Sequence, residues 1–202
     1  EMCIRDSFIY YLSIGKLNFG GNMPNIKDVR YVKFRVSDLG KQQQFLHDFG
    51  LHTSIDEGVL VARGTDTSPY IYLAEEGPTP AFASVGFLAD SEAQLREIAA
   101  IDGVAVTENP LVGGGLIAQL TDPNGFTVDI VANIADAAPL TVADRSGFNQ
   151  GDAKQRLGER VTFTQADCFI KRLGHVVLMV NDFATTLELS LIHISEPTRQ
   201  HH

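Results

Sequence analysis

The sequence predicts an α+β fold in which two βαβββ modules pair into one open, curved β-barrel with the helices outside. Two observations carry this prediction. Strand-type and helix-type patterns occur in the same order twice between residues 30 and 131, and the opening strand and helix start then recur near residue 173. The 202 residues, 44% of them hydrophobic, are enough for one or two domains with a core of ordinary size.

The first module begins with Arg30–Val36, where alternation and β-forming residues predict a strand. Ser37 and Asp38 are good N-caps for the helix that follows. Gly50 ends that helix, in which the residues that recur at helical spacing are Leu39, Gln42, Phe45, Leu46 and Phe49. Glycine and proline then separate three short β-type runs, near residues 52–55, 59–63 and 70–74.

The second module repeats this order. Ser84–Ala89 is predicted as a strand, and Ser91 with Gln94 forms a capping box before a short helix that Gly103 ends. Leu95, Ile98 and Ala99 form the apolar stripe of that helix. Three strand-type runs follow, at residues 104–107, 116–121 and 127–131, with Asp122–Gly125 as the turn between the last two.

A further copy begins after a polar, glycine-containing stretch, residues 135–171, which we interpret as a linker. Leu173–Phe183 aligns without gaps to Val29–Leu39, so the chain starts a second copy of the domain. Residues 172–188 supply only the first strand and the start of its helix. Because such a piece cannot bury its apolar face alone, we expect it to be poorly ordered or docked on the first domain.

Both ends have the character of a sequencing-library adapter. Residues 2–7 and 189–194 can be encoded by the two strands of one inverted repeat, and Ser195–Arg199 resembles the adapter sequence that follows it. Met23 follows two glycine codons that can spell a ribosome-binding site. We therefore predict an adapter and untranslated leader at 1–22, an N-terminal non-metal domain at 23–134, and a second adapter at 189–202.

Composition excludes several classes. A formal net charge of −9 without a basic cluster argues against nucleic acid as a partner. No apolar run approaches the ~20 residues of a membrane helix. The two cysteines form no C-x-x-C pair, and only Cys168 lies outside the adapter. A lone cysteine and the lack of an export signal favour the cytoplasm.

The motifs together resemble the vicinal oxygen chelate (glyoxalase, bleomycin-resistance and dioxygenase) superfamily. They are the paired modules, the opening strand L-G-H-V-V-L-x-V-x-D-F at residues 173–183, and the closing hairpin T-D-P-x-G-x-x-x-[E/D] at Thr121–Asp129. The arrangement is most similar to type I extradiol ring-cleavage dioxygenases. That resemblance implies a C-terminal domain with Fe(II), or sometimes Mn(II), in a triad of two histidines and one carboxylate, and an N-terminal domain without metal.

Carried over residue by residue, the resemblance makes His175 the first metal ligand, with the other two ligands beyond the 202 residues. No catalytic or cofactor-binding residue is assigned. In the first domain the equivalent positions are Tyr31, Ser84 (with Ala83 as the alternative) and Asp129. Tyrosine and serine are poor partners for such a metal. We therefore predict no metal in residues 23–136 and a hydrogen bond between Asp129 and Tyr31.

Other chemistry-bearing residues have simpler interpretations. His47 and His52 are predicted to be solvated or capping residues near the end of the first helix. Gly113–Gly115 is predicted to be a flexible hairpin, because it leads into a strand without the Lys-Ser/Thr of a phosphate loop. Cys168 is predicted to be inert.

The resemblance implies a parent enzyme of aromatic catabolism, an extradiol dioxygenase-like oxidoreductase that cleaves a catecholic ring with O2 at non-haem iron. The fragment itself is expected to be inactive. Two alternatives stay open: a small-ligand-binding module of the bleomycin-resistance type, and a non-redox metal-dependent lyase or epimerase of the glyoxalase type. A small aromatic diol and O2 are the expected partners, without nucleic acid or membrane, and a homo-oligomer is allowed.

Overall fold

The computed structural model describes residues 8–12, 26–141 and 170–186. Those ranges contain two complete helices, α1 (Leu39–Asp48) and α2 (Glu92–Asp102), helical residues at 183–186, and ten strands. The strands are β1 (Phe8–Leu12), β2 (Ile26–Val36), β3 (His52–Asp56), β4 (Val59–Arg63), β5 (Tyr72–Glu76), β6 (Ala81–Ala89), β7 (Val106–Glu108), β8 (Leu116–Thr121), β9 (Thr127–Ala132) and β10 (Val176–Val180). Neither helix is long and apolar enough to cross a membrane.

Eight strands form one sheet in the order β3-β4-β5-β2-β6-β9-β8-β7. The two modules occupy its two halves, and β2 and β6 join them as an antiparallel pair in the centre. Within each half the last strand of the module lies parallel to its first strand, β5 beside β2 and β9 beside β6. The sheet is open and curved, which confirms the predicted α+β architecture of paired βαβββ modules.

Local signals set the helix ends as the sequence predicts. Asp38 is the N-cap of α1, and its side chain accepts the backbone N–H of Lys41 at 2.9 Å. The hydroxyl of Ser91 accepts the N–H of Gln94 at the start of α2. Gly103 ends α2 in the left-handed conformation with φ 66°, a region that glycine enters without steric cost.

Several strand boundaries differ from the prediction. The strand β6 begins three residues early, at Ala81, and β7 covers Val106–Glu108 in place of 104–107. Two further differences have a clear structural reason. The strand β2 begins at Ile26, four residues before the predicted start, because Ile26 and Val29 are buried in the core beside α2. The strand β5 begins at Tyr72, two residues late. Tyr70 is fully buried but is not paired with a neighbouring strand of the sheet. The N–H of Ile71 donates to the carbonyl of Ala62 at 2.9 Å. Burial therefore extends beyond the alternating pattern at both places.

The helices cover one face of the sheet, and the other face is concave. On the helix side, one cluster packs around α2 and includes Leu95, Ile98, Phe87 and Ile130. A second packs around α1 and includes Leu46 and Leu60. The concave face has its own cluster, formed by Tyr31, Val61, Tyr70, Leu73, Ile117 and Val131. The sheet therefore has a dry, apolar layer on both sides, and a polar side chain in it needs a built-in partner.

Residues 170–186 dock on the helix side of the first domain, which is one of the two outcomes expected from the sequence. Leu173 packs against both helix-side clusters, and Val176 packs against the one around α2. The strand β10 pairs antiparallel with β1 in a separate two-stranded sheet. The start at Met23 stays a prediction, and so does the linker at 135–171, of which residues 142–169 lie outside the described ranges.

Candidate functional site

The three positions equivalent to a metal site lie on neighbouring strands in the middle of the sheet. Tyr31 on β2 is paired with Gly86 on β6, and Gly86 is paired with Asp129 on β9. Ser84 lies two residues before Gly86 and therefore points to the same face. The topology thus brings Tyr31, Ser84 and Asp129 together on the concave face, although 98 residues separate the first from the last.

Asp129 is the centre of a buried hydrogen-bond network. Its Oδ2 accepts the Tyr31 hydroxyl at 2.8 Å and the Ser84 hydroxyl at 2.7 Å. Its Oδ1 accepts Nε2 of Gln119 at 2.9 Å. The residue is only 3% exposed, so these three donors replace the hydrogen bonds to water that the carboxylate loses on burial. The predicted hydrogen bond between Tyr31 and Asp129 is confirmed. The residue of β6 that joins them is Ser84 and not the alternative, Ala83.

Gly86 makes the long reach of Tyr31 possible. A Cβ atom at Gly86 would collide with Cε1 of the Tyr31 ring, which lies directly over this glycine. The phenol therefore crosses β6 in contact with its backbone and reaches Asp129 on the strand beyond. A glycine inside a strand often marks such a close approach, so the sequence carried this signal.

Tyr70 and Asn109 connect this network to the glycine-rich loop. The rings of Tyr31 and Tyr70 meet edge to face, with centroids 5.2 Å apart. Nδ2 of Asn109 donates to the Tyr70 hydroxyl and to the carbonyl of Gly114, at 3.0 Å each. Gly113–Gly115 is therefore anchored to the site through a buried asparagine. The sequence interpretation did not identify Asn109, Tyr70 or Gln119.

Burial changes the proton affinity of both phenols. The pKa of Tyr31 is raised well above its usual value, first by burial and then by the negative charge of Asp129 and the hydrogen bond to it. Burial also raises the pKa of Tyr70, while the bond from Asn109 and the nearby charge of Arg30 act in the opposite direction. Both side chains are therefore neutral hydrogen-bond donors and acceptors at neutral pH.

Comparison with known proteins identifies the architecture. The chain matches the Mn(II)-bound glyoxalase from Novosphingobium aromaticivorans with a TM-score of 0.54 and 18% identity over 60% of this chain and 44% of that one. It also matches homoprotocatechuate 2,3-dioxygenase from Brevibacterium fuscum in a complex with 3,4-dihydroxyphenylacetate. That match has a TM-score of 0.53 and 21% identity, and it covers 63% of this chain and 42% of that one. The match to the 2,3-dioxygenase LapB from Pseudomonas sp. KL28 has a TM-score of 0.52 and 17% identity, and it covers 61% of this chain and 46% of that one.

The fold is that of the vicinal oxygen chelate proteins. The chain spans less than half the length of each of these three structures. No family model matches the sequence. No curated protein matches it either. At this level of identity the likeness establishes the fold, and the chemistry has to be argued from the site itself.

The concave site of this domain does not fit a divalent metal. The hydroxyls of Tyr31 and Ser84 donate their protons to Oδ2 of Asp129, so both lone pairs of that oxygen are used and neither hydroxyl oxygen is turned toward a metal. Binding a metal through Tyr31 would require its deprotonation, which its raised pKa opposes. Among the residues that the structure describes, no three His, Cys, Asp or Glu side chains are grouped to hold a metal.

The histidines lie elsewhere. His175 is exposed and directly precedes β10, on the opposite side of the sheet from Asp129. His47 and His52 are both exposed, and Nδ1 of His47 lies 3.8 Å from a carboxylate oxygen of its neighbour Asp48. The solvated positions predicted for these two residues are confirmed. Cys168 lies outside the described residues, so its predicted inertness remains a prediction.

A second feature is an open groove of about 530 Å³ between the helix side of the sheet and β10. Three phenylalanines from β2, β6 and the turn before β9 form its floor in a chain of edge-to-face contacts: Phe34, Phe82 and Phe126. Asn124 lies at one end of the groove and binds the docked segment. The groove is thus closed on one side by residues 170–186.

Proposed function

We propose that the chain is the N-terminal portion of an extradiol dioxygenase-like enzyme, which opens a catecholic ring with O2 at an Fe(II) centre, with Mn(II) as the alternative metal. The supporting observation is the set of three hydrogen-bond donors, Tyr31, Ser84 and Gln119, that surrounds the buried carboxylate of Asp129. A glyoxalase-type protein that used this paired-module domain for chemistry would need metal ligands where Tyr31 and Ser84 donate hydrogen bonds. Residues 23–134 then serve as the non-metal domain.

The proposed metal centre begins at His175. In the ungapped repeat alignment, His175 takes the place of Tyr31, the first of the three positions that meet on the concave face of the first domain. A domain built on β10 in the way the first is built on β2 would direct His175 into its own concave site. The second histidine and the carboxylate would come from later strands of that domain, as the resemblance implies.

The substrate class is also a proposal. One of the structures with the same fold is a complex with 3,4-dihydroxyphenylacetate, a catechol. We infer a small aromatic diol for the parent enzyme, acting with O2 in the cytoplasm. A metal held by His175 and the two later ligands would supply electron transfer from the diol to O2.

The test uses the complete gene, recovered downstream of residue 188 from the source DNA. The purified protein, loaded anaerobically with Fe(II) and given a panel of catechols, should consume oxygen and form a coloured ring-cleavage product. His175→Ala should abolish stoichiometric iron binding and turnover. His52→Ala is the matched control, because His52 is exposed on the edge strand β3, and it should leave both unchanged.

Three outcomes would contradict the proposal. Catechol binding without metal or oxygen uptake would favour the bleomycin-resistance type of binding module. Tight metal binding without oxygen uptake would favour a lyase or epimerase of the glyoxalase type. Iron binding that survives His175→Ala would show that the metal is held by other residues.

A further inference from the structure

The turn between β8 and β9 binds the docked segment through one side chain, that of Asn124. Oδ1 of Asn124 accepts the backbone N–H of Asn181 at 2.9 Å. Nδ2 donates to the Thr186 hydroxyl at 3.0 Å and to Oδ1 of Asp122 at 2.6 Å. One amide therefore uses both of its ends to hold residues 181–186 against the domain.

The rest of the segment is held by contacts that do not involve Asn124. The carbonyls of Ile170 and Lys171 accept the backbone N–H groups of Thr65 and Asp66. Arg172 pairs with a carboxylate oxygen of Asp28 at 2.8 Å. Leu173 reaches both helix-side clusters. Asn124 thus fixes the far end of a segment whose near end is anchored independently.

Asn124 is followed by Gly125, and this pair has a specific chemical weakness. The backbone nitrogen of Gly125, once deprotonated, can attack Cγ of Asn124, since glycine has no side chain to shield it. The new N–C bond closes a succinimide ring, the Cγ–Nδ2 bond breaks, and ammonia leaves. Water then opens the ring at either C–N bond and leaves aspartate or isoaspartate. Asparagine is accordingly among the thermolabile residues.

The docked geometry opposes this attack. The N–H of Gly125 is donated to the carbonyl of Asp122 at 2.8 Å, which holds the proton that the attack must first remove. Turning Cγ toward that nitrogen would also break the bonds of Asn124 to Asn181 and Thr186. Gly125 itself is exposed, so water and base reach the turn once the segment leaves.

The product would be incompatible with the docked segment. An aspartate at position 124 has no donor for Thr186. It would place a second carboxylate where Nδ2 now lies 2.6 Å from Oδ1 of Asp122, a residue that is only 3% exposed. Two like charges at this separation in a partly buried site repel strongly.

From these contacts we propose that Asn124-Gly125 is a deamidation site that docking of residues 181–186 protects, and that deamidation of Asn124 releases residues 181–186 while the near end of the segment stays anchored. The reaction needs only water and base. Docking of residues 181–186 therefore slows the modification, and the modification opposes their docking.

The first experiment follows backbone amide exchange in the full 202-residue chain. Asn124→Asp should speed exchange of the Asn181 N–H by about tenfold or more, with the amides of Val85 and Ile130 unchanged as a check on folding. Asn133→Asp is the matched control. Asn133 also donates to a carboxylate, that of Glu92, but it does not contact the segment. Equal exchange in wild type and Asn124→Asp would overturn the proposal.

The second experiment measures deamidation directly, by mass spectrometry of the peptide that contains Asn124 after incubation at mildly alkaline pH. Thr186→Val removes the hydroxyl that accepts from Nδ2 of Asn124 and leaves the turn itself unchanged, so it should raise the rate several-fold. Ile101→Ala, at a half-exposed position on α2, should not. Equal rates in wild type and Thr186→Val would refute protection by docking, whatever the metal chemistry of the parent enzyme.

Discussion

The Tyr31 hydroxyl lies 2.8 Å from Oδ2 of Asp129, and the Tyr31 ring lies over Gly86 on the strand between them. Tyr31 belongs to the first strand of the first module, and Asp129 belongs to the last strand of the second. This bond therefore spans the central strand pair that joins the modules. It connects them through side chains in the middle of the sheet.

Replacing Gly86 with alanine should destabilise the protein by about 1–3 kcal/mol, the usual cost of overpacking a tight core. The reason is the collision between the new Cβ and the Tyr31 ring. Urea unfolding measures the change in the free energy of unfolding. Gly40→Ala in α1 is the matched control and should be neutral or stabilising, since alanine favours a helix interior. An unchanged stability for Gly86→Ala would contradict this packing.

Removing the Tyr31 hydroxyl should cost about 1–3 kcal/mol, because the buried carboxylate of Asp129 loses one of its three donors. Tyr72→Phe is the control. The Tyr72 hydroxyl accepts a bond from Gln42 in a partly exposed place, so its loss should cost less. In an Asp129→Asn background the cost of Tyr31→Phe should shrink, which a double-mutant cycle measures. Additive costs would mean that the two residues are not coupled.

Stability should fall at alkaline pH. Unfolded tyrosine loses its proton near pH ~10, whereas burial and Asp129 hold the pKa of Tyr31 well above that value in the folded protein. The unfolded chain therefore binds fewer protons above that pH, and the free energy of unfolding decreases as the pH rises through it. The urea midpoint should drop over this range and drop less in Tyr31→Phe. Identical pH profiles would contradict the assignment.

Replacing the two hydroxyl donors, Tyr31 and Ser84, with histidine should create a metal site. Tyr31→His combined with Ser84→His places two imidazoles beside Asp129 on one face of the sheet. Added Mn(II) should then raise the Tm of the double variant, because a ligand that binds only the folded state stabilises it. The unmodified chain and the same double variant carrying Asp129→Asn should show no such rise. A rise in the unmodified chain would contradict the lack of fit described for this site.

The sequence predicts the architecture well because its signals are local. The two modules are marked by the helix caps at Asp38 and Ser91 and by strand-type and helix-type patterns that occur twice in the same order. Because the two modules are alike, they pair as equivalent halves of one sheet. Contacts between residues that are distant in the sequence give weaker sequence signals. Gln119 and Asn109 look like ordinary surface polar residues in the sequence, and only the fold brings them to Asp129 and Tyr70. Gly86 did carry a signal, since a glycine inside a strand calls for an explanation.

The order of strands in the sheet has a consequence for how two copies of this chain could share their parts. Each module completes its own half of the sheet, with its last strand returning beside its first. Between modules the chain is continuous only through residues 77–80, where Pro78 and Pro80 restrict the backbone. Two chains that exchanged second modules would rebuild the same β2–β6 seam and the same bond from Tyr31 to Asp129. The seam would be the same in one chain and in an exchanged pair, and the two forms would differ only in the path of residues 77–80.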